Sequence, residues 1–298
     1  MVKPLVAAVT MAAAAVGAAD SASAATLDVR ALWDFDRPDV SEQRFRDRLA
    51  TATPDEALIL QTQIARTFGL RERLDDSRAL LQSLRPQLAS ASAEARVRWY
   101  LEWGRTWASA VHDSDKLPDA DRETARSAFR TAADAARAAG LDALAVDALH
   151  MLPFTTRSTP ADLLQDLAWN QEALAMALAS PQPDARRWEA SLRNNLGITL
   201  NKLGRHDEAL VMLQQALAAL QQQAAPIGRQ RIGHWMVANT LRRLGRIDEA
   251  LAIQQRLEVE NAADGTPDAY VFEELALLHR ARGETAQADA YAARAKMR

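Results

Sequence analysis

Two residues with acid–base chemistry sit three positions apart in this chain, Asp147 and His150. On a helix that spacing puts both side chains on one face. There a carboxylate could orient an imidazole for proton transfer, or the two could make a structural hydrogen bond. No nucleophile or phosphate loop accompanies them: the chain has no G-x-S-x-G, no Walker A and no H-E-x-x-H. The remaining histidines, His112, His206, His234 and His279, fall into no ligand spacing. A loop from His112 to Asp121 brings Asp113, Asp115, Asp119 and Asp121 close together, an oxygen density that calcium would accept. It lacks the glycine and bidentate Glu of an EF-hand, and Lys116 interrupts it. With no cysteine in the chain, disulfides, thiol catalysis and Cys-based metal sites are excluded. The reading is therefore of a non-enzymatic protein, with no catalytic residue, metal or cofactor assigned.

Two further groups of side chains are suited to binding. Trp99, Trp103 and Trp107 recur every four residues, an aromatic stripe that serves either core packing or ligand stacking. The second group is the run Asn194-Asn195 with Asn201. Asparagine is a poor helix former because its side chain competes for nearby backbone groups, so helix stability does not explain these positions. A carboxamide carries both donor and acceptor, and can pair with a peptide backbone whatever the side chains.

The elements that must hold these residues are helices. The chain has 298 residues, 48% apolar and 25% charged, with few aromatics, and no segment alternates apolar and polar residues over a strand length. The expected class is all-α. A net charge of −3 gives no general attraction to nucleic acid or acidic lipid. Two heptapeptides, Gly204 to Leu210 and Gly245 to Leu251, share six of seven residues as G-R-x-D-E-A-L, and Gly283 to Ala288 is a weaker third copy. Each lies between two amphipathic helices, which indicates a helical solenoid. Gly204 and Gly245 suit the left-handed residue that ends a helix. Asp207 and Asp248 suit the start of the next one, and Ala209 and Ala250 let helices approach closely.

These residues resemble the tetratricopeptide repeat (TPR) family. The pattern reads Leu196-Gly197, Leu200, Gly204, Ala209 and Ala216 in one repeat, then Val237-Ala238, Leu241, Gly245 and Ala250 in the next. Leu275-Ala276, His279, Gly283, Ala288 and Ala295 form another, with His279 where a large apolar residue is usual. Fainter copies are Ile64-Ala65, Phe68, Ser77, Leu81 and Leu84, and Trp103-Gly104, Trp107, Ala125, Phe129 and Ala132; a degenerate pair spans Val146 to Ala179. The resemblance covers residues 54–298, strongest over 190–255, and implies a superhelix of about six helix pairs with a spacing nearer 40 than the usual 34. It also implies a concave groove lined by the first helix of each pair. Ser191, Asn194, Asn195, Ile198, Asn201 and Lys202 fall there, with Trp235, Asn239 and Arg242 from the next repeat and Arg98, Glu102 and Arg105 from an earlier one. A subtype that clamps a carboxylate needs Lys or Arg around a groove Asn. Beside Asn195 this chain has Ala145, Leu149, Ile232 and Met236 instead.

The domain reading divides the chain into three. Residues 1–24 read as a signal peptide, a weakly apolar Ala/Val run ending in the A-x-A site Ala22-Ser23-Ala24. Residues 25–53 form an N-terminal segment whose Ser41–Ala50 makes a short capping helix, and 54–298 the solenoid. The expected product is exported, periplasmic or secreted, with no membrane association after cleavage. The expected function is a scaffold that binds a protein or peptide in its concave groove. The alternatives are self-association through the convex face or end helices, giving a homo-oligomer, and a metal-binding or hydrolytic role for the Asp147/His150 pair or the acidic loop.

Overall fold

The computed structural model describes residues 27–113 and 116–296. After a 3₁₀ turn at Arg30–Leu32 come the helices α1 (Pro38–Leu49), α2 (Pro54–Leu70), α3 (Leu74–Leu84), α4 (Ala93–Arg105), α5 (Asp119–Ala138), α6 (Asp142–Met151) and α7 (Pro160–Ala179). They are followed by the single turn α8 (Pro183–Arg186), then α9 (Glu189–Lys202), α10 (His206–Gln222), α11 (Ile227–Arg243), α12 (Ile247–Ala263), α13 (Ala269–Ala281) and α14 (Thr285–Ala295). There is no strand among the described residues. Six antiparallel hairpins follow in order, α2/α3, α4/α5, α6/α7, α9/α10, α11/α12 and α13/α14, while α1 packs on α2. The expected signal segment lies outside the described residues.

Local chemistry sets where these helices begin and end. Thr53 and Glu56 form a reciprocal capping box at the start of α2, and Thr159 and Asp162 do the same for α7; Pro54 and Pro160 take the first helical position. Gly204, Gly245 and Gly283 have φ near +75° and close α9, α11 and α13. At each, the next residue's N–H returns to a carbonyl five positions back, as from Arg205 to Leu200 at 2.9 Å, so the last carbonyls are not orphaned. Asp207 and Glu208, and Asp248 and Glu249, lie in the first turns of α10 and α12, where the helix dipole favours them.

Packing within the hairpins depends on small residues. A Cβ on Gly197 would stand 2.5 Å from Leu213, and one on Gly104 2.5 Å from Phe129. Both glycines therefore let a neighbouring side chain rest on bare backbone. Leu192, Leu213, Leu257 and Leu275 are fully buried, and each such side chain contributes about 1.5–3 kcal/mol by leaving water. His279, which departs from the repeat pattern, is buried, bonds Glu284 and stacks on Tyr291 at 5.3 Å.

Candidate partner-binding groove

The first helices of the hairpins, α2, α4, α6, α9, α11 and α13, exchange polar contacts from one to the next along the inner face. In the N-terminal half this produces a charged network. Arg66 of α2 lies 3.7 Å from Glu102 of α4 and 4.0 Å from Asp147 of α6. Arg105 of α4 is 2.6 Å from Glu102 and donates to Asp147. Two cations and two anions thus meet at a largely buried place, with only Arg66 as much as 22% exposed, where each charge needs its partners. Burial alone would push the Asp147 carboxyl up, but Arg105 and Arg66 outweigh it and hold it below the ordinary carboxylate range. Burial likewise works against the Arg105 guanidinium, and Asp147 and Glu102 overcome it, so its pKa is raised. For Arg66 burial dominates, reinforced by Arg105, and its pKa is lowered.

His150 follows Asp147 on α6 but does not bond to it. Its Nδ1 accepts from the Asn195 amide of α9 at 2.9 Å, which leaves the proton on Nε2. Burial takes its pKa down to about 4; Asp147 opposes this, and Arg105 and Arg66 add to it. It is neutral at pH 7. The ring lies 5.0 Å from Trp188 and edge-on to Phe154 at 6.2 Å. The expected Asp147/His150 pair is thereby corrected: each group is claimed by a residue from a neighbouring repeat.

Above the network is an open pocket of about 200 Å³. Leu70, Val111, Met151, Phe154 and Trp188 supply its apolar walls, and Arg66, Glu102, Arg105, Asp147 and His150 its polar floor. Arg66 Nε and Glu102 Oε2 are buried without a hydrogen-bond partner. Such orphaned atoms are uncommon enough to call for a reason.

The expected groove residues divide by position. Asn195 lies on the inner face, as do half-buried Ser191, Asn194 and Ile198 near it on α9, and exposed Lys202 reaches Ser158 at 3.4 Å. Asn201 and Asn239 do not lie open. Asn201, 8% exposed, donates to Thr240 at 2.7 Å and meets His206 at 2.9 Å. Asn239, 9% exposed, donates to Glu274 and accepts from Arg243 at 3.0 Å. Both face the adjacent inner helix, so they join repeats, and the expectation that their amides lie open in the groove is corrected. Arg242 is held by Glu274 at 2.8 Å. Glu102 is buried in the network beside Arg105, whereas Arg98 pairs along its own helix with Glu94 at 2.8 Å. Trp235 donates to the Tyr270 carbonyl at 3.1 Å, beside a cleft of about 830 Å³ that also holds Ile232 and Met236.

Sequence reasoning missed Arg66, Trp188 and Phe154, since no motif marks them. Of the tryptophan stripe, Trp99 is buried and donates to the Leu81 carbonyl, and Trp103 stacks on it at 5.4 Å. Trp107 meets Trp103 edge-on and lies under Arg78. In the acidic loop, Asp113 pairs with Lys116 at 2.7 Å and Asp119 with Arg157; Asp115 lies outside the described residues. Among the described residues no group of three His, Asp or Glu is placed to hold a metal ion, and no helix is long and apolar enough to cross a membrane.

Residues 190–222, which hold α9 and α10, match the tetratricopeptide repeat family profile. The α9/α10 hairpin thus matches a tetratricopeptide repeat, and it sits in a stack of six helical hairpins. The chain's fold is similar to that of a signal-transduction ATPase with a tetratricopeptide repeat sensor from Pyrococcus horikoshii. That match has a TM-score of 0.63 and 13% identity, and covers 87% of this chain and 38% of the other. It is also similar to aspartyl phosphate phosphatase F from Bacillus subtilis, with a TM-score of 0.58 and 15% identity over 90% of this chain and 67% of the other. The chain thus spans well under half the length of the first of these. At such identities the likeness is one of fold. No curated protein sequence matches the chain.

Proposed function

We propose that this protein is a non-enzymatic scaffold that binds an extended peptide or protein segment along the inner face of its solenoid. The observation that carries the reading is the charged network of Arg66, Glu102, Arg105 and Asp147 under an apolar-walled pocket on that face. A stack needing only stability would fill this place with apolar side chains, because burying ion pairs gains little over good packing. Donors and acceptors fixed beside apolar walls instead suit a chain that carries both peptide groups and side chains. In this reading Asn195, Ser191, Asn194 and Ile198 continue the surface. The protein acts after export, its leader cut beyond Ala24.

A photo-crosslinking residue at Ile198, compared with one at exposed Val211 on α10, tests the reading in the cells that make the protein. A partner crosslinked from Ile198 and not from Val211 supports it; capture from Val211 alone overturns it. N-terminal sequencing of the chain from the cell exterior or envelope tests the leader, and a chain still starting at Met1 in the cytoplasm would refute export.

A second reading, self-association, has its own observation. Ile232 and Tyr270 are both more than half exposed in the α11–α13 cleft, and Ile227 is equally exposed at the start of α11. Concentration-dependent sedimentation tests it, and a strict monomer ends it.

A further inference from the structure

The segment before α1 contributes to the inner face. Val29 is buried, and Trp33 Nε1 donates to Gln63 Oε1 of α2 at 3.0 Å. The Phe35 ring lies parallel to that of Trp33, with centroids 4.6 Å apart. The Arg66 guanidinium stands 5.4 Å from each ring centroid. Gln63 and Arg66 are three residues apart on one face of α2, and Arg66 is the residue that joins the charged network. At the other side Arg30 comes within 3.9 Å of Asp184 on α8, four residues before the pocket wall Trp188. Both charges are well exposed, so this contact marks position more than it adds stability. The segment thus reaches from the first repeat toward α8, which packs on the third hairpin, at the N-terminal end of the groove.

Its start is anchored: Leu27, Leu32 and Trp33 pack on the cluster around buried Phe45, and the Asp34 backbone exchanges two hydrogen bonds with buried Ser41, whereas its tip is loosely held. Phe35 is 56% exposed, and Asp36 and Arg37 face water. Trp33 is extended at φ −81°, ψ 132°, and a turn follows in which the Arg37 N–H donates to the Asp34 carbonyl at 3.2 Å, so the Phe35 ring folds back onto Trp33. Guanidinium groups favour both aromatic faces and carboxylates, and the run Trp33-Asp34-Phe35-Asp36 alternates the two. The Trp33–Phe35 tip, seated on Arg66 with Phe35 open to water, is the part of the segment that rests on the surface as a ligand would.

We propose that the tip Trp33–Asp36 is a resident ligand of the groove, and that the partner is a segment of the same chemistry, two aromatic residues at i and i+2 alternating with acids. The partner takes the place of Trp33 and Phe35 at Gln63 and Arg66, so the free protein is held in a self-occupied state. This rests on the groove reading above and names its partner class and its regulation. A ligand whose site is free only part of the time binds more weakly by that fraction.

The test uses a fluorescent peptide of residues 27–37 and the full chain. Trp33→Ala/Phe35→Ala should bind the peptide at least ten times more tightly than the unaltered chain by anisotropy, and adding Arg66→Ala should abolish the gain. Phe35→Ala alone removes a mostly exposed ring, leaves folding intact by circular dichroism, and should give an intermediate gain. Equal binding by altered and unaltered chains overturns the proposal. So does no binding up to about 1 mM, the effective concentration of a short tether. If that happens while Ile198 still crosslinks a partner, the groove reading stands and the resident-ligand idea falls.

Discussion

Arg105 and Asp147 join α4 to α6 through a charge-assisted hydrogen bond between side chains each about nine-tenths buried. Arg105→Met would leave Asp147 facing only Arg66 at 4.0 Å. Losing one member of a buried pair costs about 3–5 kcal/mol, so the urea midpoint should fall sharply with the slope unchanged. Arg105→Met with Asp147→Leu removes one charge of each sign and keeps Arg66 with Glu102. It should recover most of the loss. A double variant as unstable as the single would mean that the pair's value lies beyond charge balance.

Two buried groups should give opposite pH dependences. His150 has its pKa lowered to about 4 from 6.5, so between those values the unfolded chain binds the extra proton. Its contribution is complete above pH 6.5 and is lost as pH falls toward 4. Asp166 is raised to about 6 from 3.8, chiefly by burial, with the Thr156 hydroxyl bond opposing. In its window the folded chain holds the extra proton, so its contribution is present below 3.8 and is lost as pH rises through 6. The two nearly cancel from pH 4 to 6. Asp166→Asn should therefore make stability rise with pH across that range relative to the unaltered chain, and His150→Gln should make it fall. Denaturant midpoints at pH 4.5 and 6 check both signs.

The C-terminal repeats were readable because their turns use glycine. Gly204 and Gly245 hold φ near +75°, and the heptapeptides around them repeat almost letter for letter. The turn between α2 and α3 has the same geometry with Glu72 at φ 61°, so the first repeat carried no glycine signal. The groove was legible in part. Helical spacing separates faces but does not say which flank of an inner helix meets the next repeat. That is why Asn201 and Asn239 read as groove residues while their amides bond Thr240 and Glu274. Arg66 and Trp188 come to one pocket only through the superhelix, a relation across more than a hundred residues that no local pattern contains.

The inner-helix glycines provide a test of close packing. Gly197→Ala would put a Cβ 2.5 Å from Leu213 Cγ, forcing a shift between α9 and α10. Overpacking of this kind costs about 1–3 kcal/mol. Gly69 lies within α2 with nothing within 4 Å of an added Cβ. There Gly69→Ala should stabilise by about 0.4–1 kcal/mol, because it restricts the unfolded chain. Thermal midpoints moving in opposite directions would separate contact from propensity; a fall in both would place an unseen constraint at Gly69.

The asparagines can be sorted by comparing stability with binding. Asn239→Ala takes a donor from buried Glu274 and leaves it to Arg242, which should cost about 1–3 kcal/mol. Asn195→Ala removes one neutral hydrogen bond to His150 at a half-buried place, worth about 0.5–1.5 kcal/mol. If Asn195 faces the partner and Asn239 holds repeats together, their effects on affinity should run the other way. At a temperature where circular dichroism shows both variants fully folded, titration with the partner crosslinked at Ile198 should show weaker binding for Asn195→Ala and unchanged binding for Asn239→Ala. An equal loss in both would return Asn239 to the binding surface, and its bond to Glu274 would then have to open when the partner arrives.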